Sequence, residues 1–212
     1  MIVRLVTLVV SAIAMALAST AAHAHPHVWV TVKSEIVYAA DGSVTGVRHA
    51  WTFDDMYSAF ALQGLESKEK DIYTREELAA LAEVNVTSLK DFDYFTFAKA
   101  DGKKTEFDEP KDYWLEYKDS VLTLHFVLPF KAPVKARNLN LEVFDPTYFI
   151  DFGFGDKDAV ALAGAPAKCK FTASKPTDAA VDAKIKSLGE AAFGDGSNYG
   201  ANFANRISIH CP

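Results

Sequence analysis

Six residues at strict two-residue spacing, Val28, Val30, Val32, Ser34, Ile36 and Tyr38, commit the first part of this chain to a half-buried strand. Side chains at that period share one face of a pleated strand, so that face must be covered by the rest of the chain. Asp41-Gly42 then supplies a turn, and a return strand climbs to Phe53 with Val47, His49, Trp51 and Phe53 on one parity. His25, His27, Trp29 and Thr31 fall on the opposite face of the first strand.

The same pattern returns from Phe92 onward. "DYFTFAKADGKKTEF" turns at Asp101-Gly102, and "YWLEYKDSVLTLHFVLPF" turns near Asp119-Ser120, with Leu122, Leu124, Phe126 and Leu128 inward and His125 on the other parity. "LNLEVFDPTYFIDFGF" gives two strands broken at Asp145-Pro146, "AKCKFTA" another, and Arg206 to Cys211 a last one. Between these stretches the period changes to helical. Tyr57, Phe60, Ala61 and Leu65 mark one helix, while Thr74 and Glu77 form a capping box for a second. A further helix over Asp178 to Leu188 carries Val181, Ile185 and Leu188 on one side. The fold class that follows is α+β and β-rich: an antiparallel sandwich-like body, a helix-loop-helix inserted at about residues 55–91, and a C-terminal helix.

The residues before the first strand read as an export signal. Arg4 precedes an apolar run from Leu5 to about Leu17, and small residues at Ala22 and Ala24 give an Ala-x-Ala cleavage site. The run is shorter than the ~20 residues that span a bilayer, so no stable membrane insertion is expected after cleavage. Cutting after Ala24 removes 24 of the 212 residues and leaves a single periplasmic domain over 25–212. Loss of Arg4 takes the net charge from −6 to −7, which argues against nucleic acid or an anionic membrane as partner. Cys169 and Cys211 are the two cysteines, and an even pair in an exported chain reads as one disulfide. Use as metal thiolates is the alternative, although neither has a Cys-x-x-Cys neighbour.

Three of the six histidines lie in "AHAHPHVWV". Cleavage after Ala24 would discard His23 and make His25 the first residue, placing an α-amine, the His25 imidazole and the His27 imidazole at one chain end. Neutral imidazole and amine suit nickel, cobalt, zinc or copper. Pro26 has no N–H, so a metal cannot be wrapped in successive backbone amides there. Remote candidate ligands are His125, His49, Asp54 and Asp145. For His49 a satisfied buried histidine is equally open, and Asp54 and Asp55 have helix capping as their ordinary role. A calcium loop aligned on Glu66 to Glu77 has acids at both ends, but Lys68 and Lys70 stand where oxygen ligands belong and Asp71 replaces the turn glycine. Two ammonium groups repel a dication, so calcium is not expected. Gly-x-Ser-x-Gly, phosphate-binding glycine patterns and His-Glu-x-x-His are absent, and no enzyme activity is expected.

"HPHVWV", "WTFDDMYSAFALQGL", "LAALAEVNVTSLKDFDYFTF", "LTLHFVLPF" and "VFDPTYFIDF", in that order, resemble the domain of unknown function 1007 family. That family is often described as an uncharacterised periplasmic component of an ABC-type transport system. The resemblance covers roughly His25 to Cys169. It implies an exported bacterial protein that serves an inner-membrane metal permease or ABC-type transporter. Many members carry a calcium-like loop before the second helix, and "ESKEKDIYTREE" departs from it. The expected function is therefore periplasmic metal handling at the mature N-terminus. The alternatives are an envelope protein that binds a partner without metal, and a copper enzyme of the histidine-brace kind.

Overall fold

A computed structural model describes residues 26–155, 158–188 and 198–212. The expected export signal, His25 and part of the glycine-rich stretch before the last strand lie outside these residues. Two sheets pack over one core. The first has the order β5-β6-β2-β1-β8, with β9 also pairing with β1; the second has the order β10-β11-β7-β3-β4.

Strands β1 (Val28–Tyr38) and β2 (Val44–Phe53) form the expected hairpin, with Val30 opposite Phe53 and Ser34 opposite His49. The alternate residues of β1 from Val28 to Tyr38 are buried as the spacing requires. Strands β3 (Thr96–Ala100) and β4 (Lys103–Thr105) pair as a short hairpin. β5 (Lys111–Lys118) returns through Asp119-Ser120 into β6 (Val121–Val134), which packs against β2.

The Asp145-Pro146 break does more than separate two strands. It carries the chain from β7 (Asn138–Val143) in the second sheet to β8 (Ile150–Phe154) in the first. There β8 runs parallel to β1, and so does β9 (Val160–Ala163). The first sheet is thus mixed rather than wholly antiparallel. β10 (Lys170–Ser174) and β11 (Asn205–His210) close the second sheet, and the Cys169–Cys211 disulfide joins their ends as the even cysteine pair predicts. In the chain-entropy account such a closure contributes on the order of 4 kcal/mol.

Two buried polar side chains tie the sheets together. Asn205 Oδ1 accepts the Phe154 N–H at 3.1 Å, while its amide donates to the carbonyls of Val143 and Phe152. His49, 1% exposed, lies 3.0 Å from Ser34 Oγ in its own sheet and 3.3 Å from Thr96 Oγ1 in the other. Unpaired, such groups would cost more than the bonds return, so their complete pairing fixes how the sheets sit.

Helix α1 (Asp55–Ala61) is shorter than the sequence period suggests, because the chain turns away at Leu62 and reaches Gly64 with φ +81°. Helix α2 (Ala79–Leu89) packs on β5. The loop between them is held by its own side chains. Asp71 takes φ +59° at the glycine position, and Glu77 accepts the Lys68 and Thr74 amides with its two carboxylate oxygens. Helix α3 (Asp178–Leu188) lays Val181, Ile185 and Leu188 on Tyr148, Tyr199 and Phe203. Among the described residues no helix is long and apolar enough to cross a membrane.

Candidate functional site

The ends of β2 and the beginnings of β1 and β8 meet at one edge of the first sheet. Asp54 organises that edge. As N-cap of α1 it accepts the Tyr57 N–H at 2.7 Å through Oδ1, and through Oδ2 it accepts the Trp29 N–H at 2.9 Å. The Asp54 N–H in turn donates to Trp29 O. Capping is therefore its observed role, extended by a tie to β1.

Asp145 has a similar part in the crossing between sheets. It is 3% exposed, and its oxygens accept the Thr147 N–H at 2.8 Å, the Thr147 hydroxyl at 2.9 and 3.0 Å, and the Ile150 N–H at 3.0 Å. The turn is wound around this carboxylate. Gly200 passes directly over the Asp145 carbonyl, where any Cβ would collide.

That turn delivers Phe149 to the start of β1. The His27 N–H donates to Phe149 O at 2.9 Å, and the two rings lie 4.8 Å apart at 38°. His27 is exposed and shares the outer face of the sheet with Trp29, itself 46% exposed. On the neighbouring strand Asp151 stands opposite Trp29. Burial raises the Asp151 carboxyl to about 6, and the nearby Asp178 charge on α3 adds to the effect.

The other candidate histidines lie elsewhere. His49 pairs in register with Ser34, seven residues along β1 from His27, a separation of roughly 23 Å at strand rise. Its ring packs against Trp51 and Phe126, and burial drives its pKa down to about 3 despite a backbone hydrogen bond with Lys33. His125 is on the outer face opposite Trp114 of β5. The two rings stack at 4.5 Å and 7°, the Arg75 guanidinium lies 4.6 Å from the Trp114 ring centre, and His125 Nε2 is 3.5 Å from Glu116 Oε2. The structure thus brings His27, Asp54 and Asp145 to one edge and leaves His49 and His125 four or more residues, roughly 13 Å or more, along the strands from it. Among the described residues no three His, Cys, Asp or Glu side chains form a group able to hold a metal ion. His25 lies outside them.

Behind this edge a cavity of about 380 Å³ opens between the first sheet, α2 and the turn at Asp145. Trp51, Phe53, Phe95 and Phe152 line its interior, and Phe92 and Phe149 its entrance. Sequence reading alone does not find Phe149, Asp151 or this cavity. Phe149 and Asp151 look like ordinary strand residues in "YFIDFGF", and their importance depends on β8 lying beside β1.

A family model described as a protein of unknown function (DUF1007) matches residues 10–211. An uncharacterised protein of Haemophilus influenzae is 24% identical over 193 residues, a match that covers 89% of this chain and 91% of that protein.

Proposed function

The chain belongs to the DUF1007 family of proteins of unknown function, and from that starting point we propose that it is an exported, non-catalytic metal-handling protein. It binds nickel, cobalt, zinc or copper at its mature N-terminus and serves a membrane transport system in the periplasm. The observation that carries the reading is the anchoring of His27, whose backbone is hydrogen-bonded to Phe149 while its imidazole stays on the exposed face. A ligand fixed at the first turn of a sheet edge gives a short terminal segment a defined starting direction.

When the signal peptidase cuts after Ala24, the amine and imidazole of His25 join the imidazole of His27. Pro26 stiffens the link and withholds an amide donor. Asp54 and Asp145 support this edge by holding the backbone, since their oxygens already accept amide and hydroxyl hydrogens. Three nitrogens leave coordination positions open, which suits a carrier that must pass its ion to a permease.

Equilibrium dialysis of the secreted protein against each of the four ions, read by elemental analysis, tests the proposal. About one ion per chain is expected. Two extra residues placed before His25, or His27→Ala, should weaken binding by about tenfold or more. Equal affinity in the extended form would overturn the terminal site. A copper enzyme would instead consume oxygen with a reductant after copper loading, which this reading does not expect.

A further inference from the structure

We propose that the cavity between the first sheet and α2 is a binding site for a small, neutral, aromatic molecule. The inference does not depend on the metal site. Its volume of about 380 Å³ falls within the range of about 300–1,000 Å³ typical of small-molecule pockets.

The polar groups around the cavity are already satisfied. Asp145 accepts from Thr147 and Ile150. The Tyr57 hydroxyl donates to Asn85 Oδ1, Asn85 Nδ2 donates to Leu81 O, and the Ser88 hydroxyl donates to Asn85 O. No lining side chain is left to neutralise a ligand charge, and the carboxylate of Asp145 opposes an anion. Burying an unpaired charge there would be costly, so a neutral occupant is selected.

The walls are aromatic, with Trp51, Phe53, Phe95 and Phe152 lining the interior, and favour a flat ring.

The entrance supports the same conclusion. Phe92 and Phe149, both on the lining of the cavity, are 51% and 45% exposed. Phe92 is stacked on Phe95 at 5.2 Å, just before a run in which Asp93, Tyr94 and Phe95 all adopt positive φ. A left-handed stretch of three residues without glycine is costly backbone, and such cost concentrates where a ligand is held. Exposed rings at the mouth of an apolar cleft become covered when a flat molecule enters between them.

The test uses the full secreted chain in metal-free buffer, so its result is separate from that of the metal experiment. The probes are 6-propionyl-2-dimethylaminonaphthalene, neutral with a carbonyl acceptor, and 1-anilinonaphthalene-8-sulfonate, of similar size but anionic. The neutral probe should give saturable one-to-one fluorescence enhancement and bind about tenfold more tightly than the sulfonate. Ser88→Phe, at the exposed rim, should reduce that binding about tenfold while leaving the melting temperature in place. Non-saturable enhancement, equal affinity for the sulfonate, or unchanged binding in Ser88→Phe would overturn the proposal.

Discussion

His49 and His27 belong to the same β-hairpin, yet their surroundings give them opposite characters. Around His49 every face is occupied: hydroxyls from both sheets reach its nitrogens, and Trp51 and Phe126 cover its ring. At His27 the backbone is fixed, and one aromatic neighbour, Phe149, packs on an exposed ring. The lesson is that a histidine's role is set by the strands laid beside it. The interior of the first sheet closes around its histidine, while the edge leaves its histidine exposed.

Truncation should separate the two regions most sharply. Phe126→Ala, in the covered interior, is expected to cost about 3–5 kcal/mol, whereas Phe149→Ala at the half-exposed edge should stay within about 1 kcal/mol. Urea midpoints measure both, and comparable losses would erase the distinction. Asn205→Ala comes next, at about 2–3 kcal/mol, because it strips partners from three buried backbone groups that join the sheets.

Acid offers a gentler probe. Burial keeps His49 neutral, with a folded pKa of about 3 against an ordinary 6.5, so the unfolded chain binds the proton more readily. Stability contributed by neutral His49 should be lost as pH falls below about 6.5 toward 3, a few kcal/mol in all, and His49→Gln should flatten that slope. Asp151 works in the opposite direction. With its folded pKa raised to about 6, stability should fall as pH rises from about 4 through 6. Asp151→Asn should remove that smaller loss, about 1 kcal/mol after solvent screening. The pH profiles of unfolding midpoints for the two variants therefore diverge from the parent on the acid limb in opposite senses.

How much of this was legible in the sequence depended on the range of the interaction. The alternation from Val28 to Tyr38 identified the inner face of β1 because a strand's two faces are fixed by parity alone. Thr74 and Glu77 announced a reciprocal pair because they are three residues apart, and its hydrogen bonds at 2.8 and 3.2 Å are in place, but they close the turn before α2, whose own N-cap, Leu78, makes no side-chain bond. The parallel pairing of β1 with β8 and β9 was not legible, since parity carries no information about strand direction. β9, "VALA", is also too short to separate itself from a loop. His49 stayed ambiguous for the same reason: Ser34 and Thr96 reach it from 15 and 47 residues away. At the candidate site, His27 was visible from its place in the histidine-rich stretch "AHAHPHVWV", while Phe149 depended on a crossing between sheets.

The parallel pairs have a consequence for assembly in time. β1 is the first of the described strands to emerge during synthesis, and β2 can cover one of its flanks at once, but β8 and β9 begin only at Ile150 and Val160. For roughly a hundred residues of growth the nascent hairpin keeps an open hydrogen-bonding flank. Closing it requires a long-range search, which is slow and exposes the chain to wrong pairing. An unfinished β1 is also what a chain needs if it must be threaded through a membrane before it folds, so late closure keeps the polypeptide pliable until its last third arrives.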